Sequence, residues 1–336
     1  MNWNNGMNKP FLCKPYGKDY LWGGRRLQEE MGKETELSPL AESWECSTHP
    51  DGPSMAADGI YAGMELTEIL TLHPEYLGSH VRKTGDEGVG QLPVLVKFID
   101  AKQDLSVQVH PTDDYAREFE NGQSGKSELW YILDAAKDAK IVYGLRHSTE
   151  KDMLRKAVQD GTVEKYLQKV PVEKDQVFFV EAGTIHAVGA GCLIAEIQEN
   201  SNLTYRLYDY DRVDKNGEKR PLHIEKGLEA ASLKTAPEPR QPIRVLRYTP
   251  GCARELLGRC RYFEVYRMLV NTEKRQVVCF RADELSFRVL LCIDGCGILT
   301  FEDTVMEIYK GDCVFVPADS SLIRMHGKLQ FLDIRC

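Results

Sequence analysis

Short hydrophobic stretches, separated by turns rich in glycine, proline and aspartate, dominate the chain. Such stretches are typical of β-strands, and many short strands favour closed or double-sheet β folds. They form two groups on either side of residues 234–244, whose three prolines indicate a linker. The predicted strands before this linker include 93–101, 105–111, 128–133, 139–144, 175–183, 192–198 and 203–211, and those after it include 262–270, 275–282, 287–295, 296–301, 313–319 and 329–334.

The pattern changes to a helical one in two places before the linker. Over residues 148–169 the apolar side chains recur at helical spacing, and Thr149 with Asp152 resembles a capping box. The apolar residues of this predicted helix are Met153, Leu154, Ala157 and Val158. A second helical segment is predicted directly after His223.

One internal repeat links the two groups of strands. The stretch KDQVFFVEAGTIHAV, from Lys174, aligns with KGDCVFVPADSSLIRM, from Lys310. Both predict a turn, an apolar strand, a turn of small residues and a second strand. In this alignment His186 faces Leu322, so we expect two related β units of which only the first carries the histidine.

The tripeptide Gly125-Lys126-Ser127 invites comparison with a phosphate-binding P-loop, but the surrounding sequence excludes one. The P-loop needs a glycine five positions before Gly125, where this chain has Glu120, and it needs a helix next. The following residues, Glu128 to Leu133, predict a strand instead. Because strand side chains alternate, Lys126 and Glu128 would share one face of that strand.

A second polar strand face lies in residues 105–111. Ser106, Gln108 and His110 share one face, while leucine and valines occupy the other. Buried polar side chains need partners, and imidazole with carboxylate suits zinc, so Gln108 and His110 with Glu128 and His186 form a candidate metal site. The spacing alone leaves the ordinary alternatives open, which are a structural histidine and a surface carboxylate.

Length, charge and cysteine content narrow the class of protein. The chain has 336 residues, enough for two domains, and a net charge of −8. This charge argues against a general nucleic-acid or acidic-membrane binder, and no apolar run approaches the length of a membrane span. The N-terminus lacks the pattern of a signal peptide, and the ten cysteines contain no CxxC pair. We therefore expect a cytoplasmic protein with reduced thiols.

Several separate motifs together resemble the type I mannose-6-phosphate isomerase (phosphomannose isomerase) family, in its short bacterial form. They occur in the order found in that family and span nearly the whole chain, and GTIHAV is also typical of cupins. These motifs are LWGGRRL (21–27), ESWECSTHPDGPS (42–54), LVKFIDAKQDLSVQVHPTDDYA (95–116), GKSELWYIL (125–133), GTIHAV (183–188) and EIQENSNLTYRLYDYDR (196–212).

The resemblance implies a mainly β protein with two cupin (jelly-roll) domains and a small helical insertion in or beside the first. Residues 1–236 would form the catalytic zinc-binding domain, with helical segments at about 148–170 and 223–233. Residues 237–336 would form a degenerate cupin without metal. The implied reaction interconverts mannose 6-phosphate and fructose 6-phosphate by proton transfer between C1 and C2 through an enediol.

The resemblance also implies the site residues. The Zn²⁺ ligands would be His110, Glu128 and His186, with Gln108 as the fourth. The active-site arginine of the family falls on Arg206, for which the ordinary alternative is a surface ion pair with Asp209 or Asp211.

Other roles follow from strand faces. Lys126, beside Glu128, is assigned to substrate binding or proton transfer, and Glu196 is the candidate carboxylate for acid–base work or for holding sugar hydroxyls. Ser106 and Lys97 are candidates for substrate binding, although Ser106 also fits an ordinary strand hydroxyl and Lys97 a side chain that reaches solvent.

One departure from the family pattern bears on the mechanism. Family members often have an acidic residue at the position of Asn202, and an amide cannot act as a base at neutral pH. The identity of the base therefore stays open, as does the oligomeric state. Two rival functions also remain at this stage: a cupin oxygenase with a two-histidine, one-carboxylate iron site, and a sugar-binding cupin without turnover.

Overall fold

The computed structural model describes residues 8–84, 89–214, 216–239 and 244–336, and it is mainly β, as predicted. The strands are β1 Phe11–Lys14, β2 Tyr16–Lys18, β3 Glu42–Cys46, β4 Met55–Ala56, β5 Val94–Ala101, β6 Val107–Val109, β7 Glu128–Ala135, β8 Lys140–Leu145, β9 Leu167–Pro171, β10 Val177–Val180, β11 His186–Val188, β12 Cys192–Glu199, β13 Tyr205–Tyr208, β14 Arg247–Thr249, β15 Cys252–Arg259, β16 Glu264–Asn271, β17 Val278–Phe280, β18 Arg288–Phe301, β19 Thr304–Tyr309, β20 Cys313–Val316 and β21 Ile323–Arg335. The α-helices are α1 Arg26–Glu29, α2 Leu66–Leu72, α3 Ser79–Thr84, α4 Asp113–Phe119, α5 Lys151–Gln159 and α6 Ile224–Ala230. Short 3₁₀ helices span Gly59–Tyr61, Pro74–Leu77 and Val163–Lys165.

Two facing antiparallel sheets form the first unit. One has six strands in the order β10-β7-β12-β5-β3-β2, and the other has five in the order β13-β6-β11-β8-β9. Between them lies a core that includes Ile99, Ile132 and Ile194 from the first sheet and Tyr143 and Val188 from the second. The polar side chains on the inner faces of both sheets lie together at one end of this core.

The six-stranded sheet is buried on both faces, which explains why every residue of β5 and β12 is buried. The outer side chains of β5, β7 and β12, such as Phe98, Leu129 and Ile197, pack against the second unit. On the opposite side of the molecule, the outer face of the five-stranded sheet packs against Leu154 of α5 and Leu228 of α6. The six-stranded sheet, which carries most of the polar inner residues, is therefore packed on both faces and held rigidly.

The second unit is a single sheet that curls around its own apolar core. Its main order is β14-β15-β16-β21-β18-β20-β1-β4, with β17 paired to β21 and β19 to β18. The N-terminal strand β1 hydrogen-bonds to β20, with Phe11 opposite Phe315. The first strand of the chain thus completes the sheet of the C-terminal unit, and a domain boundary at residues 236/237 stays a prediction. Residues 240–243 of the predicted linker lie outside the described residues.

The helical segments differ in detail from those predicted. The second segment is confirmed as α6, but the first helix ends at Gln159, ten residues early, because Gly161 adopts a positive φ of 66° and the amide of Thr162 bonds back to the carbonyl of Ala157. The capping prediction is wrong, since Glu150 is the N-cap residue and makes no side-chain cap, while Asp152 pairs with Arg155. Met153 is also exposed, not packed in the core.

The internal repeat is present in the structure, including its turns. Asp175 and Gly311 occupy aligned positions before β10 and β20, and both have a positive φ, of 69° and 102°. Gly183 and Asp319 are likewise aligned in the following turns, with φ of 89° and 50°. The left-handed conformation at these positions turns the chain from one short strand toward the next.

No helix among the described residues is long and apolar enough to cross a membrane.

Candidate metal centre and active site

The predicted metal ligands come from strands of both sheets of the first unit. In the five-stranded sheet β6 and β11 are neighbours, and their register places His186 directly opposite Gln108. Glu128 begins β7 in the facing six-stranded sheet. Because the strand faces alternate, the valines of β6 point to the helices while Gln108 and His110 point inward, as predicted.

His110, Glu128 and His186 form a compact buried cluster. One ligand atom from each lies within 4.8 Å of the others. Glu128 Oε2 is 3.5 Å from His110 Nε2, and Glu128 Oε1 is 3.3 Å from His186 Nε2. Among the described residues this is the one group of three or more histidine, cysteine or acidic side chains with that geometry.

Backbone carbonyls orient both imidazoles. His110 Nδ1 donates to the carbonyl of Leu203 at 2.7 Å, and His186 Nδ1 donates to the carbonyl of Thr184 at 2.8 Å. Burial lowers the pKa of His110 to about 3, assisted by Lys126, and burial also lowers the pKa of His186. At neutral pH both rings are therefore neutral, with the lone pair of Nε2 facing Glu128, which is the form that binds a metal.

Glu128 supplies the negative charge of the cluster. Burial alone would raise its pKa, but the neighbouring charge of Lys126 opposes burial and holds the pKa below the usual value. The carboxylate is 1% exposed, and neither of its oxygens accepts a hydrogen bond of good geometry. Buried polar atoms without such partners are costly, and a cation bound between the three side chains would satisfy them. The donor set therefore fits a divalent metal.

Gln108 lies beside this cluster, where the fourth ligand was expected. Its side-chain amide is 3.4 Å from His186 Nε2, and its Oε1 accepts from the hydroxyl of Ser106 at 3.4 Å. Rotation of the amide about its last bond would present the oxygen in place of the nitrogen. Ser106 is buried on the same strand face.

A cavity of about 240 Å³ opens beside the cluster, and we call it the site cavity. Six of the nine predicted site residues line it, and the other three are the buried cluster itself. The six are Lys97, Ser106, Gln108, Lys126, Glu196 and Arg206. All nine side chains named from the sequence are therefore brought together in one place.

Two lysines and three glutamates form a charged row along the six-stranded side of the cavity. Lys126 Nζ lies 3.0 Å from Glu128 Oε2 and 3.8 Å from Glu196 Oε1. Lys97 Nζ lies 3.5 Å from both Glu196 Oε1 and Glu42 Oε2. Lys97 is 3% exposed, so it points inward and does not reach solvent. Burial, and then repulsion from Glu128, raises the pKa of Glu196.

Arg206 lies on the opposite side of the cavity, on β13. Its Nη1 donates to the carbonyl of Pro221 at 3.0 Å, whereas its buried Nε has no hydrogen-bond partner. The alternative of an ion pair with Asp209 does not occur, because Asp209 is bound by Arg212 and Arg220. Burial, and then the charge of Arg220, lowers the pKa of Arg206, so an anion in the cavity would relieve both effects.

The sequence analysis assigned no role to several residues at this site. Trp130 Nε1 donates to Glu196 Oε2 at 3.0 Å, and Trp44 Nε1 donates to Glu42 Oε2 at 2.7 Å, so each tryptophan fixes one carboxylate. The other unassigned lining residues include Tyr20, Trp22, Thr204 and Arg220. Among the N-terminal residues, Trp22, Glu42 and Trp44 lie in the family motifs at 21–27 and 42–54, but those motifs assign them no role.

The turn that carries Lys126 is held by a pair of acidic side chains. Asp113 Oδ1 accepts from the amide of Gly125 at 2.9 Å, and Glu199 Oε1 accepts from the amide of Ser127 at 2.7 Å. The two carboxyl groups also lie close enough to affect each other's pKa. Tyr262 of the second unit donates to Asp113 Oδ2 at 2.7 Å, so the position of Lys126 depends on both units.

Asn202 lies at the edge of the site cavity. Its Nδ2 donates to Asp51 Oδ2 at 2.8 Å. A half-exposed carboxylate thus lies next to the amide of Asn202.

Comparison with known proteins agrees with this geometry. The family model "Phosphomannose isomerase type I, catalytic domain" matches residues 11–126, and "Mannose-6-phosphate isomerase, cupin domain" matches residues 254–335. The mannose-6-phosphate isomerase ManA of Bacillus subtilis is 35% identical over 321 residues, which cover 95% of this chain and 96% of ManA. A mannose-6-phosphate isomerase of Streptococcus mutans is 31% identical over 97% of this chain and 98% of its own length.

The chain belongs to the type I mannose-6-phosphate isomerase family.

Solved structures support the family fold. The crystal structure of the mannose 6-phosphate isomerase from Bacillus subtilis superposes with a TM-score of 0.86 at 34% identity, covering 98% of this chain and 99% of that one. A zinc-bound mannose 6-phosphate isomerase superposes with a TM-score of 0.75 at 15% identity, covering 97% and 99%, and shows the same fold. The predictions of a cupin fold and of an isomerase of this family are confirmed, and the rival functions of an oxygenase and a non-catalytic sugar binder are set aside.

The acidic pair at Asp113 and Glu199 predicts a pH effect on stability. Burial raises the pKa of Glu199 from 4.5 to about 7, although the amide of Ser127 opposes the shift. Because the folded state keeps a proton that the unfolded chain loses, the stabilisation is complete below about pH 4.5 and is lost as the pH rises through 7. Glu199→Gln removes this dependence. From pH 4 to pH 8 the free energy of unfolding of wild type should therefore fall by on the order of 3 kcal/mol more than that of the variant.

Urea denaturation across this pH range measures the effect. Glu118→Gln, on the exposed side of neighbouring α4, is the matched control and should run parallel to wild type. Parallel profiles for Glu199→Gln and wild type would contradict the assignment.

Proposed function

We propose that this protein interconverts mannose 6-phosphate and fructose 6-phosphate, using Zn²⁺ held by His110, Glu128 and His186 with Gln108 as the fourth ligand. The observation that carries the proposal is the buried group of three donor atoms within 4.8 Å, beside a cavity lined by lysine and arginine. Neutral imidazole and ionised carboxylate suit zinc. The names of the relatives and the zinc-bound structural neighbour support the same substrate and metal.

When bound, Zn²⁺ would supply a Lewis acid for the carbonyl and hydroxyl oxygens at C1 and C2 of the opened sugar. The carbonyls of Leu203 and Thr184 would hold the histidine rings in the ligating tautomer. Lys126, 3.0 Å from Glu128, places a further cation beside the same oxygens and would stabilise negative charge that develops on them.

Glu196 is our candidate for the proton transfer between C1 and C2. A general base or acid works best when its pKa lies near the operating pH, and burial together with Glu128 shifts the pKa of Glu196 upward in that direction. Trp130 holds one oxygen of the carboxyl, which leaves the other facing Lys97 and Lys126 in the cavity. Glu196 would regain its charge when it gives the proton to the second carbon, and Lys97, 3.5 Å from its Oε1, would stabilise the charged carboxylate or bind a sugar hydroxyl.

Arg206 is our candidate for the phosphate or the developing oxyanion. It reaches the cavity from the sheet opposite Lys97, and its Nε is buried without a partner. A guanidinium binds a phosphate or carboxylate oxygen pair in fixed geometry. Ser106 lines the same cavity and has a hydroxyl that could turn from Gln108 to a substrate oxygen.

Asp51 is our candidate for the carboxylate that Asn202 lacks. The two side chains are hydrogen-bonded at the edge of the site cavity. Ring opening of a sugar phosphate needs a group that accepts a hydroxyl proton, and the half-exposed Asp51 can serve where the amide cannot.

Metal removal tests the proposed function directly. Purified protein incubated with mannose 6-phosphate should form fructose 6-phosphate, lose this activity on chelation and regain it when Zn²⁺ is added. Both phases are followed by coupled detection of fructose 6-phosphate. Full turnover after complete chelation, or tight zinc binding without turnover, would refute the proposal.

Substitution of Arg206 tests its role. Arg206→Lys keeps the charge but loses the paired donors, and we expect kcat/KM for mannose 6-phosphate to fall by about 10²- to 10³-fold with the zinc content unchanged. Arg212→Lys is the matched control, because Arg212 pairs with Asp209 and does not line the site cavity. Equal losses in the two variants would show that Arg206 acts only through local structure.

A further inference from the structure

The inner face of the second unit changes character along its strands. At one end of the strands the inward-facing side chains form the apolar core. At the other end the inward-facing side chains of the same strands are charged. On β18 Arg288 lies two residues before the inward-facing Leu290. On β21 Asp333 and Arg335 come after the inward-facing Phe331. This is the position at which β-barrels commonly hold small ligands, because the strands open there to solvent.

A cavity of about 670 Å³ occupies this open end, and we call it the arginine cavity. It is larger than the site cavity of the first unit, and no acidic side chain is found among the described residues that line it. Its charged lining residues are Arg247, Arg254, Arg259, Arg288 and Arg335. Five cations facing one cavity are unexpected in a chain with a net charge of −8.

Among the described residues, two carboxylates form ion pairs with these arginines. Asp333 pairs with Arg254 at 2.5 Å and with Arg288 at 3.2 Å. Glu264 pairs with Arg259 and with Arg335. Arg247 has no carboxylate within 4.0 Å among the described residues, so the cavity has an excess of positive charge. The arginines repel one another, and a bound anion would reduce this repulsion.

Two arginines of the cavity each have a buried Nε without a hydrogen-bond partner. Arg288 is 7% exposed and lines the cavity, yet its Nε has no hydrogen-bond partner, and the Nε of Arg254 also has none. The ring of Tyr266 lies between Arg254 and Arg335, with the guanidinium carbons 5.0 and 5.8 Å from its centre. Cation–π contacts of this kind fix the planes of both guanidinium groups before a ligand binds.

We propose that the arginine cavity of the second unit binds a small phosphorylated metabolite through its phosphate group. Planar guanidinium groups match the paired oxygens of phosphate, and several of them can share one dianion. The volume exceeds that needed for phosphate alone, and Leu256, Val245 and Tyr266 offer surface for the uncharged part of the molecule. The site is separate from the metal cluster and does not depend on the reaction proposed there.

Binding of inorganic phosphate to the full-length protein tests the proposal. The probe is the line width of the ³¹P resonance during titration, at a pH above the second pKa of phosphate and at constant ionic strength. Arg247→Ser/Arg259→Ser removes two partly exposed arginines of the cavity without touching Asp333. This variant should bind phosphate at the second unit at least about tenfold more weakly than wild type, since it loses charge-assisted hydrogen bonds.

Two comparisons separate this site from other causes. Arg281→Ser/Arg324→Ser removes the same charge from exposed positions outside the cavity and should bind as wild type does. Arg206→Ala, in the site cavity, should leave the phosphate site of the second unit intact. Turnover of mannose 6-phosphate should be unchanged in Arg247→Ser/Arg259→Ser. Phosphate binding equal to wild type in that variant, or equal weakening in Arg281→Ser/Arg324→Ser, would overturn the proposal.

Discussion

The buried carboxylate of Glu128 is the constraint on which the site depends. An ionised carboxylate with 1% exposure and without a hydrogen bond of good geometry is strongly unfavourable unless cations surround it. Lys126 supplies one such cation, and the two neutral imidazoles turn their lone pairs toward the same point. This arrangement is electrostatically incomplete without a further positive charge, which a divalent metal would supply.

The architecture serves to keep this arrangement rigid. Glu128, Glu196 and Lys97 stand on three adjacent strands of a sheet that is buried on both faces, so their backbones have little freedom. The two histidines approach from the facing sheet, and the turn that carries Lys126 is fixed by Asp113 and Glu199. The second unit contributes through Tyr262, which binds Asp113, and through the apolar layer beneath the sheet. Its own arginine cavity follows the same plan, in which an apolar core gives way to charged side chains at the open end of the strands.

The sequence predicts the parts of the site that follow from local alternation. The inward faces of Gln108 and His110 and the shared face of Lys126 and Glu128 need only the period of a strand. The partners that come from distant segments could not be predicted in this way. Glu42 and Trp44 belong to a motif that gave them no role, and the contact of Asp51 with Asn202 joins residues that are 151 positions apart. The early end of α5, in contrast, has a local cause, because Gly161 adopts a positive φ of 66° just after the last helical turn and stops the helix there.

We propose that His110, Glu128 and His186 together hold one zinc ion. Anomalous diffraction measured on both sides of the zinc absorption edge, from crystals of protein purified without added metal and then soaked in Zn²⁺, tests it most directly. The account predicts one strong peak between the Nε2 atoms of His110 and His186 and the carboxylate of Glu128, and its loss in Glu128→Gln. A peak elsewhere, or an unchanged peak in Glu128→Gln, would contradict it.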